Sequence, residues 1–301
     1  MMRTKSLTYN FRSAFSSAII VTVLLSSALL SGCGSASKDS DVPFGDSGSA
    51  APEAEAPAAA PLAKEPTPAA PVPPKAQEAA RGLLSGISDA IRSQNDEALF
   101  RASTQVLASN PNEVKALNAM GLYHFRKNRF LAAEYFFAKA LKVQNNSDVL
   151  NNMAMTQLAL GEKREAMKSL RKALEVNSND GLAASNLGAL YVAEKDYAKA
   201  RVTLESAVRR GVKDPKTLLN YGIAQAAGGQ FDSAKLMYEE SLKANPNSPE
   251  ALLSYAILLI EHLSLGQEGM KQLDRLRFMT PDETMKKRMI ELENKAKPEI
   301  K

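Results

Sequence analysis

An all-α solenoid of tandem helix pairs is the fold the sequence predicts, and three observations predict it. Apolar residues recur at helical spacing from about Ala76 to Lys301, with almost no alternating β-branched run. Small residues return at a fixed interval: Asn186 and Asn220, Gly188 and Gly222, and Ala200 and Ala234 all lie 34 residues apart. Most positions between them differ, so the repeated residues set helix spacing while the variable ones face solvent or a partner.

The chain opens with a different chemistry. Residues 1–32 carry Arg3, Lys5 and Arg12 without an acid, then an apolar stretch from Ala18 to Leu30, then Ser31 and Gly32. That layout is a secretory signal, and the apolar stretch is shorter than the roughly 20 residues a membrane span needs. The formal charge of +5 suggests nucleic acid or a membrane surface as partner, but three of the 38 Lys and Arg lie in this leader. The remainder nearly balances the 33 Asp and Glu. Cys33 is the only cysteine, which excludes an intramolecular disulfide and a cysteine-clustered zinc site. The run Leu30–Cys33, LSGC, resembles the lipobox of bacterial lipoproteins. The resemblance implies that Cys33 becomes the lipid-bearing first residue, carrying palmitate or a similar chain; the plainer reading is an accidental cysteine beside an ordinary cleavage site. Gly34, in place of Asp, further implies a Gram-negative outer-membrane location on the periplasmic face.

Residues 33–75 hold the lipidated cysteine and a tether rich in Ala, Pro, Ser and Gly, with nine of the fifteen prolines between Pro43 and Pro74. Such a composition cannot bury enough apolar surface to offset its ordering entropy. A disordered or polyproline-like tether is expected, reaching about 130 Å if fully extended.

Helix pairs are expected to begin near Val114, Ser147, Gly181 and Pro215, at spacings of 33, 34 and 34 residues. On the first helices Gly121, Ala154, Gly188 and Gly222 allow close approach. On the second, Ala133, Ala166, Ala200 and Ala234 do the same, with Phe137, Leu170, Leu204 and Tyr238 filling the seam. Asn110–Pro111 and Asn245–Pro246 stop second helices, because proline lacks the donor and clashes with the preceding turn. A looser fifth pair runs from Pro249 to Pro281, with one extra residue and Gly269 near the expected alanine. Residues 76–113 form either a degenerate pair or an N-terminal cap, and residues 282–301 a helix, Asp282 to about Ala296, that covers the end of the stack.

This pattern resembles the tetratricopeptide repeat over residues 114–248, and more loosely to Pro281. It departs from the repeat in having no tryptophan and in placing His124 where an aromatic is usual. The resemblance implies a right-handed superhelix whose first helices line a concave groove. Its groove positions fall on Asn118, Leu122 and Phe125; on Asn152 and Met155; on Asn186; and on Lys216, Asn220 and Ile223. The asparagines suit an extended peptide backbone, since each amide both donates and accepts; the alternative is that they are structural. Leu182 and Asn186 stand where a carboxylate clamp wants Lys and Arg, so no such clamp is expected.

No catalytic constellation accompanies the repeats. His124 and His262 each stand alone, without a second ligand at i+4, and Glu261 does not share a helical face with His262; packed core roles are expected for both. The run GCGSAS at residues 32–37 has no phosphate-binding context. Basic residues at 126–128, 209–213 and 286–288 alternate with acids, as on a solvated face, so nucleic acid is not expected. Met153, Met155 and Met237 are read as core filling, with an adaptable binding surface as the alternative. The expectation is therefore a protein that is not an enzyme and uses no metal or cofactor. It is a lipid-anchored scaffold that engages an envelope protein, such as a secretin or a pilus assembly component, in envelope or pilus assembly. A regulator recruiting a cell-wall enzyme or a motility complex is the alternative.

Overall fold

The computed structural model describes residues 74–279 and 281–296, with side chains from residue 82. The leader, Cys33 and the tether lie outside the described residues. The described chain is all helical: α1 (Pro74–Arg92), α2 (Asp96–Ser109), α3 (Val114–Arg126), α4 (Phe130–Val143), α5 (Ser147–Ala159), α6 (Lys163–Val176), α7 (Gly181–Ala193), α8 (Tyr197–Arg209), α9 (Pro215–Ala227), α10 (Phe231–Ala244), α11 (Pro249–Glu261), α12 (Gly266–Arg277) and α13 (Glu283–Ala296). None of these helices is long and apolar enough to cross a membrane.

Two recurring devices cut the chain into pairs. At the turn inside each pair one residue takes the left-handed conformation: Gln94, Asn128, Gly161, Lys195, Gly229 and Ser264, at φ between 53° and 83°. The next amide then reaches back to a carbonyl five residues earlier, as Arg129 to His124 and Asp196 to Tyr191 at 2.9 Å, which closes the first helix with a Schellman turn. In the last pair the amide of Leu265 reaches six residues back, to Leu259, which absorbs the extra residue. The second device is an N-cap every 34 residues. The side chains of Asn146, Asp180, Asp214 and Ser248 each accept from an amide in the first turn of the next first helix.

Packing within each pair follows from the small residues. A Cβ added to Gly121 would lie 2.4 Å from Phe137, to Gly188 2.4 Å from Leu204, and to Gly222 2.7 Å from Tyr238. Ala133, Ala166, Ala200 and Ala234 are wholly buried against the same seams. Gly269 plays this part in the last pair, where a Cβ would meet Ile260 at 2.4 Å.

Helices α1 and α2 form a pair of the same kind and dock on α3. Here the sizes are exchanged: Ile87 holds the register position of Gly121 and Ser103 that of Phe137, and both are buried. The guanidinium of Arg126 bonds Asp96 at 3.1 Å and the carbonyl of Ile91, fastening this pair to the next. At the other end α13 buries Met285, Met289, Leu292 and Ala296 against α11 and α12. Its Arg288 bonds Glu261 at 2.7 Å and Glu291 at 2.8 Å, so this part of the basic run at 286–288 is an internal tie.

Candidate functional site: the concave face

Successive first helices touch one another along the stack, α1 to α3 and onward to α9 and α11, while second helices meet chiefly their flanking first helices. The first helices therefore lie on the inside of the curve. The groove expected from sequence falls on this inner row, but the structure sorts its residues into three kinds.

Leu122, expected in the groove, is fully buried, and Phe125 is nearly so and packs edge-on against Phe130 at 5.4 Å. Both belong to the core, because the close approach of α3 and α4 at Gly121 draws in the residues around it. Met155 and Ile223 are buried too, each retaining 8% exposure.

The asparagines form a ladder between units. The amide of Asn152 donates to Asn118 at 3.0 Å, and that of Asn186 donates to Asn151 at 2.8 Å. Asn151 was not expected to take part; its place beside Asn152 in a repeat rich in asparagine is the signal that could have found it. One step further the ladder changes chemistry. The hydroxyls of Ser185 and Thr217 lie 2.6 Å apart, and Thr217 also donates to Asp214 at 2.5 Å. Ser147 likewise bonds Asp180 across units. Asn118 and Asn152 are thus buried and engaged in holding the stack together, and the Oδ1 of Asn152 is buried without a partner among the described residues. What the inner face offers a partner is Lys216, exposed at the start of α9, and the half-buried Asn186; Asn220 is buried, with 7% exposure, and makes no side-chain hydrogen bond among the described residues.

The two histidines are not equivalent. His124 is half-buried and stacks on Phe136 at 5.2 Å; burial, and then the charge of Arg129, push its pKa below the usual value. His262 is exposed rather than in the core, because it caps α11, and it stacks on Phe231 at 4.6 Å. Among the described residues no three His, Cys, Asp or Glu side chains are grouped as metal ligands are.

Comparison with known proteins gives this architecture a family context. Models of the tetratricopeptide repeat match residues 147–180 and 219–282. The chain is 34% identical over 98 residues to the anaphase-promoting complex subunit CDC16 of Saccharomyces cerevisiae, a match that covers 30% of this chain and 12% of that protein. Among solved structures it is similar to PilF of Pseudomonas aeruginosa, with a TM-score of 0.63 at 18% identity, covering 71% of this chain and 98% of that one. It is also similar to PilW, a type IV pilus biogenesis factor, with a TM-score of 0.56 at 16% identity over 70% and 98% of the two chains. With the 34-residue N-cap spacing and the repeated left-handed turns, these matches show that the described chain has an all-α fold of tandem helix pairs similar to stacked tetratricopeptide repeats.

Proposed function

We propose that the chain is an outer-membrane-anchored scaffold, without catalysis of its own, that holds an envelope protein on its concave face during pilus or secretin assembly. One observation carries this reading. The described solenoid is matched over 98% of the solved chains of PilF and of PilW, the latter a type IV pilus biogenesis factor, so those chains consist of little besides the architecture found here. The accessible inner residues Asn186 and Lys216 supply amide and ammonium groups suited to an extended polypeptide backbone. The lipobox-like sequence before Cys33 would keep the scaffold at the membrane, and the proline-rich tether would let it stand off.

A photo-crosslinking residue placed at Lys216, with one at the outer Lys243 as control, tests the groove in the native envelope. Adducts with secretin or pilus components at position 216 alone are expected, and equal adducts at both positions would overturn the reading. Cys33→Ser tests the anchor separately, by loss of the chain from the outer-membrane fraction while its helicity persists.

A further inference from the structure

The outer face of α4 and α6 combines two features that the concave groove does not use. Arg164, Arg171 and Lys172 project from α6 and Lys142 from α4, all exposed, and none of the four makes an ion pair among the described residues. Lys168, beside them, is held by Glu165 at 3.3 Å. Lys168, Ser169, Arg171, Lys172 and Glu175 share the open outer surface of α6. Next to this cationic patch, on the same outer side of α4, Leu131 and Tyr135 are 73% and 63% exposed.

Either feature alone is common on a solvated helix. Together they make a convex ridge with cations around protruding apolar side chains, which is the chemistry of a protein resting on an anionic bilayer. An acidic polypeptide without apolar side chains would be met by the charges but would leave Leu131 and Tyr135 in water. The ridge is also the right shape, since a flat bilayer can touch the convex side of a solenoid and cannot enter its groove. Further along the outer side the cations are paired or mixed with acids: on α8 Lys199 pairs with Asp196 and Arg209 with Glu205, and α10 shows Asp232, Glu239 and Glu240 beside Lys235 and Lys243, so the cluster of cations without an ion pair among the described residues lies at the α4–α6 end.

We propose that the outer face of α4 and α6 is a binding surface for anionic lipid, with Arg164, Arg171 and Lys172 on headgroup phosphates and Leu131 and Tyr135 at the headgroup boundary. The surface is independent of what the groove holds. It would orient the solenoid with its concave side turned away from the membrane.

The test uses the full chain as the Cys33→Ser variant, free of acyl groups, and vesicles of phosphatidylcholine with or without 30% phosphatidylglycerol. The leader, with its apolar stretch and Arg3, Lys5 and Arg12, is the same in every variant, so the change in the ratio of the two affinities between parent and variant isolates the charged surface. A preference of about tenfold or more for the anionic vesicles is expected, because each cation near such a surface contributes roughly fivefold. Arg164→Gln/Arg171→Gln/Lys172→Gln should lower it by about tenfold or more, with the far-ultraviolet spectrum unchanged. Lys243→Gln/Lys271→Gln/Lys287→Gln removes as much charge elsewhere and should leave it intact. The fluorescence of a Leu131→Trp variant should be quenched by brominated lipid. Equal loss in the two triple variants, no preference in the parent, or unquenched indole fluorescence in Leu131→Trp would each overturn the proposal. So would polyglutamate displacing the chain from anionic vesicles at matched charge, since the face would then serve an acidic polypeptide.

Discussion

His124 is a liability that the surrounding residues make tolerable only while it is neutral. Burial and the nearby charge of Arg129 hold its pKa below the usual value near 6.5, and its Nδ1 has no partner among the described residues. The unfolded chain therefore takes up this proton first. The stabilisation is fully present above about pH 6.5, is lost as pH falls toward the lower folded value, and changes no further below it. Tyr191 fills the equivalent position two units on, and His124→Phe should flatten the dependence of melting temperature on pH between 7.5 and 5. An unchanged slope would show that other groups set it. Gly188 presents the opposite case, a residue defined by the absence of a side chain. A Cβ there would lie 2.4 Å from the Cγ of the buried Leu204, the middle of that side chain and not its flexible end. Gly188→Ala should cost about 1–3 kcal/mol in chemical denaturation, the usual penalty for overpacking a close crossing. A neutral result would mean that α7 and α8 can separate freely.

At the scale of the element, the starts of α3, α5, α7, α9 and α11 coincide with positions legible in the sequence, because glycine and alanine at close crossings and proline after helix ends leave few alternatives. The N-caps at 146, 180, 214 and 248 keep the same interval, and they extend to Asp282, which accepts from the amide of Met285 at 2.8 Å. Helix α13 thus starts in register as the first helix of a further unit. The pair α1–α2 was harder to read because its register survives while the residue sizes are exchanged between helices. Only the combined volume at such a crossing is constrained, so a search for a small residue on the first helix misses Ile87. Ser103→Leu should cost about 1–3 kcal/mol through overpacking against α1. Adding Ile87→Gly should recover part of that loss if the two positions share one crossing. Additive costs in the double variant would show that they do not touch.

For the molecule as a whole, stability is shared between the pairs and the contacts that join them, as in any stack whose units meet only their neighbours. The asparagine ladder belongs to those junctions, and that is the part of the candidate site the sequence could not reveal. An amide lining a groove and an amide bridging two helices are the same letter at the same repeat position, and only the neighbour 34 or 35 residues away decides between them. Asn152 finds Asn118 and Asn186 finds Asn151, whereas the residue 35 positions before Asn220 is Ser185, whose hydroxyl is engaged with Thr217. Asn118→Ala should therefore strand the buried amide of Asn152 and cost about 1–3 kcal/mol. It should also broaden thermal unfolding, since the α1–α4 end would be less tightly coupled to the rest of the stack. Asn220→Ala removes no side-chain hydrogen bond and replaces asparagine with a better helix former, so its melting temperature should hold or rise slightly. Measured together by calorimetry, the two variants separate an asparagine that bridges two units from one that does not. If Asn220→Ala proves as costly and as broadening as Asn118→Ala, the fourth unit is held by an interaction of Asn220 that its neighbours do not reveal.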